Sequence, residues 1–145
     1  MSTLTAQTTQ VYSVFIRATP EQVWDAITKP EFTQQYFFGA RIEVRDGRRF
    51  SVIGDTEWDE EVLEADRPHR LVHQWISAYD PEMAAEEPSR LTWEIEPQDG
   101  GITKLTVVHD QLEGAPKTAA GVSGGWMFVL SGLKTLLETG KPLTG

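Results

Sequence analysis

Two histidines and one glutamate are the side chains of this sequence best suited to acid–base work. His109 follows Leu105 and Val107 at two-residue spacing within Thr103–Gln111, so a strand there places its imidazole on the apolar face. His73 alternates in the same way with Leu71 and Trp75. An imidazole so placed can orient a carbonyl or hydroxyl, or act as a general base near neutral pH. It can equally sit satisfied inside a core. Glu60 shares a strand face with Trp58, Val62 and Glu64, unlike its acidic neighbours Asp55, Asp59 and Glu61. Burial there would raise its pKa and make it a proton donor. The remaining acids, together with Glu82, Glu86 and Glu87, read as a solvated rim. Were the chain an enzyme, His109, His73 and Glu60 would be its catalytic candidates; no constellation demands catalysis.

Other chemistries find less to work with. His69 and His73 are four residues apart, but four strand residues span about 13 Å, too far to share one ion. His69 itself falls in the Asp66–Arg70 turn and is expected in solvent. No metal and no cofactor are expected. The absence of cysteine excludes disulfides, thiolate metal sites and cysteine nucleophiles. The run Gly-Val-Ser-Gly-Gly-Trp at Gly121–Trp126 lacks the Lys-Ser/Thr ending of a phosphate loop. No Gly-x-Ser-x-Gly elbow supports a serine hydrolase.

The aromatic residues are the stronger signal. Five Trp, six Phe and three Tyr are much bulk for a chain of 145 residues. Trp75 and Trp93 fall on apolar strand faces, Trp126 heads the apolar stripe of the last helix, and Tyr36 and Phe37 end a short helix. Each could fill a core or line a cavity. Aromatic rings suit a cavity because each presents roughly 150–250 Å² of apolar surface, with a polar handle on Trp and Tyr. The candidate ligand-binding set is Tyr36, Phe37, Trp75, Trp93, His109, Trp126 and Leu130.

The elements that must position these residues follow from pattern. Val11–Arg17 is rich in β-branched and aromatic residues and reads as a strand. Thr19, Pro20 and Gln22 form a helix start with a capping box, and Pro30 opens a second short helix that Gly39 closes. A meander follows: Ala40–Arg45 and Arg48–Ile53 flank an Asp46-Gly47 hairpin signal, then Glu57–Ala65, Arg70–Ser77, a strand around Leu91–Ile95, and Thr103–Gln111. Tyr79–Pro88 reads as an acidic loop or ragged helix, which with Gly39–Ile53 could gate a cavity. The one long helix is expected over Gly121–Thr139, with Gly124 and Gly125 letting its start approach the sheet; Gly140 stops it. Residues 1–10 read as a flexible lead-in and 11–142 as one domain.

Composition sets the outer bounds. With 22 acidic against 13 basic residues the formal charge is −9, which argues against nucleic acid and anionic membrane surfaces as partners. No run approaches the roughly 20 apolar residues of a spanning helix, and the N-terminal residues carry no secretory pattern. A cytoplasmic setting is expected.

Three segments carry a resemblance. ATPEQVWDAITKPEFTQQYF (Ala18–Phe37), EEVLEADRPHRLVHQW (Glu60–Trp75) and GGWMFVLSGLKTLLETG (Gly124–Gly140), supported by Thr103–Leu112, resemble the START-like (SRPBCC) superfamily. Within it, the chain is similar to the branch named after the C-terminal domain of the activator of Hsp90 ATPase. The resemblance implies an α+β helix-grip fold: a curved antiparallel sheet wrapped around a long C-terminal helix, with two short helices after the first strand. It also implies binding of a hydrophobic or amphipathic small molecule between sheet and helix, without catalysis, in a regulatory or stress-related role. Two alternatives stay open. One is an enzyme resembling polyketide cyclases/aromatases or small hydrolases and using an inward His. The other is an interaction module, self-associating as a homodimer or paired with a chaperone or transcriptional regulator.

Overall fold

The computed structural model describes residues 8–144. Strand β1 (Gln10–Ile16) leads into helices α1 (Pro20–Thr28) and α2 (Pro30–Tyr36). The start of α1 is the capping box its sequence predicts. The Gln22 N–H donates to Thr19 Oγ1 at 3.1 Å, and Gln22 Oε1 accepts from the Thr19 N–H at 2.8 Å. The meander comprises β2 (Arg41–Arg45), β3 (Arg48–Ile53), β4 (Thr56–Asp66) and β5 (Arg70–Trp75). After the short helix α3 (Pro81–Ala84) come β6 (Ser89–Pro97), β7 (Thr103–Asp110) and helix α4 (Pro116–Thr139). Asp46 and Gly47 take φ of 54° and 74°, the left-handed pair that a two-residue hairpin requires.

The seven strands form one sheet in the order β1-β7-β6-β5-β4-β3-β2, with every neighbouring pair antiparallel. Between β4 and β5 the register slips: Val62 faces His73 and Glu64 faces Val72, leaving Leu63 as an extra residue. A bulge of this kind bends a strand and increases its twist, which helps the sheet curl. Its concave face grips α4. Val122, Trp126, Val129, Leu130, Leu133 and Leu136 are buried in one cluster with Leu71, Leu91, Trp93, Ile95, Leu105 and Val107. This is the α+β helix-grip fold. Against α2 the helix comes closer still, because a Cβ built at Gly132 would lie 3.1 Å from the Tyr36 Cβ.

Two expectations need correction. Helix α4 begins at Pro116, five residues ahead of Gly121. Ala115 at its start offers no side-chain cap, and the cap comes from Glu86, whose carboxylate accepts from the Lys117 N–H at 2.8 Å and the Thr118 N–H at 2.9 Å. Gly124 and Gly125 therefore lie inside the helix, and a Cβ at Gly124 meets nothing within 4 Å; the close approach belongs to Gly132. Residues 1–7 of the expected lead-in lie outside the described residues, while Gln10 is already buried and paired with His109 in β1. Among the described residues, no helix is long and apolar enough to cross a membrane.

Candidate functional site

Where the sheet curls away from α4 it leaves a cavity of about 390 Å³. Phe37 and Ala40 contribute from the α2–β2 connection and Ile42 from β2; Trp75, Val122, Trp126 and Val129 close the apolar side. Phe38 and Tyr79, 60% and 46% exposed, mark its mouth. Gly121 and Gly125, one helical turn apart on α4, line it without side chains of their own. The aromatic wall is continuous. Phe37 meets Trp126 edge-on at 5.9 Å and Trp75 at 6.3 Å, and Trp75 lies 5.4 Å from Trp126.

The β3–β4 wall is polar. Arg49 and Glu60 are register partners, both almost fully buried, and Arg49 Nη1 lies 2.8 Å from Glu60 Oε1. The other Glu60 oxygen accepts from the Ile76 N–H at 2.8 Å. Burial pushes the Glu60 carboxyl up, while Arg49 and the Ile76 N–H pull the other way. The Arg49 guanidinium also lies over the rings of Trp75 and Phe37, at 5.4 and 5.7 Å. The next pair along, Ser51 and Trp58, completes this wall. Glu60 thus faces inward, the exception among the acids of its segment that its shared face with Trp58 and Val62 allowed.

The histidines are placed differently. Both lie on the concave face, in one cross-strand row that runs Gln10–His109–Leu91–His73–Val62, and both are sealed from solvent. The Trp93 indole N–H donates to His73 Nε2 at 3.0 Å, and the Trp126 indole N–H donates to His109 Nδ1 at 3.1 Å. An indole N–H can only donate, so each accepting nitrogen is unprotonated. The remaining nitrogens carry the protons: His73 Nδ1–H donates to Gln74 O at 2.7 Å, and His109 Nε2–H donates to Ser89 Oγ at 2.8 Å. Burial drives both rings toward neutrality, His73 well below the ordinary histidine value and His109 to about 4. With both nitrogens of each ring engaged by protein, neither imidazole is a free base facing the cavity.

Of the seven sequence-derived binding candidates, Phe37, Trp75 and Trp126 reach the cavity. Trp93 stands behind Trp126, 5.6 Å away edge-on, with its N–H committed to His73. Tyr36 turns into the core, where its hydroxyl donates to Ala26 O at 2.7 Å, and Leu130 is buried in the main cluster. His109 is committed as described. These four lie outside the lining: Trp93 and His109 stand on β6 and β7, away from the β3–β4 wall, and Tyr36 and Leu130 turn into the packed cluster. Sequence reasoning missed Arg49, Ser51, Trp58 and Tyr79. Its alternation signal pointed the wrong way on β3, where Phe50 and Val52 are the apolar members yet Arg49 and Ser51 are the buried ones.

The family model for the activator of Hsp90 ATPase homolog 1-like protein matches residues 17–138. No curated protein matches the chain. Among solved structures, protein MLL2253 from Mesorhizobium loti is 24% identical at a TM-score of 0.72, over 90% of this chain and 96% of that one. The Aha1 dimer from Colwellia psychrerythraea is 16% identical at a TM-score of 0.73, over 93% and 99%. DynU16, from the dynemicin biosynthetic locus, is 23% identical at 0.72; 94% of this chain matches 49% of that one.

Proposed function

The chain belongs to the activator of Hsp90 ATPase homolog 1-like family, within the START-like superfamily, and on that premise we propose that it binds a hydrophobic or amphipathic small molecule between sheet and α4. The observation that carries this reading is the cavity of about 390 Å³ with its wall of Phe37, Trp75 and Trp126, a volume in the range of small-molecule sites. A structural neighbour, DynU16 from the dynemicin biosynthetic locus, is in keeping with small-molecule work. The role is non-catalytic, as carrier or sensor, in a regulatory or stress-related setting in the cytoplasm. The catalytic reading has less support, because His73 and His109 each spend both ring nitrogens on protein partners.

Thermal stability measured against a panel of fatty acids, aromatic polyketides, flavonoids and steroids tests the proposal. A ligand at 100 times its Kd adds about 2.7 kcal/mol. A flat response across the panel, with a working control from another lipid binder, refutes it. One observation favours a second reading, an interaction module. Phe38 and Phe128 stack at 5.5 Å on the surface beside exposed Met127, and the Colwellia psychrerythraea neighbour is a dimer. Light scattering of the protein and of Phe128→Glu distinguishes homodimer from monomer. Co-purification of a chaperone or transcriptional regulator would extend the same reading.

A further inference from the structure

Among the described residues, three buried side-chain polar atoms lack a hydrogen-bond partner: Arg49 Nε, Ser51 Oγ and Trp58 Nε1. All three residues line the one cavity, and all sit on its β3–β4 wall. Leaving buried polar groups unpaired costs stability, so three on a single wall ask for an explanation. Two of the atoms can only donate, and the serine hydroxyl can donate as well. What the wall lacks is therefore an acceptor. Its charge is already balanced, because Glu60 pairs with Arg49 across the strands. A ligand carboxylate would add a second buried anion beside Glu60, whereas a neutral acceptor adds none. The Trp58 indole lies near enough to Glu60 to favour its charged form, yet no acceptor completes its N–H. None of the three atoms is exposed, and an acceptor would have to displace part of the wall to reach them; Trp58 is the one of the three residues that is not fully buried.

Resting on the ligand-binding reading above, we infer that the occupant is an apolar molecule with a neutral carbonyl-type acceptor, which docks on Arg49, Ser51 and Trp58 while its body lies against Phe37, Trp75 and Trp126. Fatty-acid carboxylates and plain hydrocarbons are the poorer ligands on this account.

Three probes of nearly equal shape test it: methyl naphthyl ketone, ethylnaphthalene and naphthoate, titrated near neutral pH and followed by backbone-amide NMR. The proteins are the wild type, Ser51→Ala and Trp58→Phe, two conservative changes that leave the Arg49–Glu60 pair intact. Each substitution is expected to weaken the ketone about three- to tenfold, the worth of one hydrogen bond, and to leave ethylnaphthalene within about twofold. Naphthoate is expected to bind the wild type at least about tenfold more weakly than the ketone. If ketone and hydrocarbon respond alike to both substitutions, or naphthoate matches the ketone, the acceptor assignment is overturned and the cavity reading survives. If none of the three binds the wild type up to its solubility limit, both fall.

Discussion

Acidification tests the two histidine–indole pairs directly. In the fold, protonating His109 Nδ1 would set a new N–H against the Trp126 N–H, at a fully buried position. Its pKa falls from 6.5 to about 4 through burial, partly opposed by Asp110. The unfolded chain therefore binds the proton first, and stability present above the unfolded value is lost as pH falls toward the folded one. A displacement of that size corresponds to roughly 3 kcal/mol, of which about 2 kcal/mol is gone by about pH 5. His73 acts in the same direction. Glu60 acts in the opposite one: its raised pKa means that its contribution is fully present below the ordinary carboxyl value and fades as pH rises through the folded value. A pH scan of the wild type alone would blend these effects. His109→Asn separates them, because an asparagine carbonyl can still accept from Trp126 but does not titrate. In urea denaturation followed by far-UV circular dichroism, the stability gap between wild type and His109→Asn should narrow by about 2 kcal/mol from pH 7 to pH 5. Ring ¹⁵N NMR should show His109 protonated at Nε2 only across that range. Parallel curves, or a ring titrating near 6.5, would refute the reasoning.

Other expectations concern packing and access. Gly132→Ala should cost about 1 kcal/mol or more despite better helix propensity, since its methyl meets Tyr36, whose hydroxyl is tied to Ala26; Gly124→Ala, in open space, should gain up to about 1 kcal/mol in the same denaturation assay. Arg49→Met alone should lose about 3–5 kcal/mol by stranding Glu60, while Arg49→Met with Glu60→Leu should recover most of it. Gly125→Leu should fill the cavity mouth, abolishing ligand-induced thermal shifts with unchanged circular dichroism; retained shifts would move the entrance elsewhere.

Much of the fold was legible because local chemistry set it. The Thr19–Gln22 box, the Asp46-Gly47 turn and the alternation of Leu91, Trp93 and Ile95 each use residues that are close in sequence, and each appears as expected. The start of α4 was not legible, because its cap, Glu86, lies about thirty residues upstream and no local signal announces it. The site was half legible. Aromatic bulk located Phe37, Trp75 and Trp126, but hydrophobic alternation assumes that an inward face meets a packed core. On β3 the inward face meets a cavity instead, so Arg49 and Ser51 point in and Phe50 lies outward beneath Arg45, 4.2 Å from its ring. The histidines misled for the converse reason: their partners, two indoles, belong to other elements.

The remote cap on α4 has a kinetic consequence. The segment that carries Glu86 also carries Tyr79 at the cavity mouth, and Glu82 of the same segment pairs with Lys117 at 2.5 Å. If this segment swung aside to admit a guest, the first turn of α4 would lose its acceptor, and entry and fraying would be one motion. The Lys117 and Thr118 amides would then be a clock for the doorway: their exchange with deuterium should count openings, and a resident guest should slow the count.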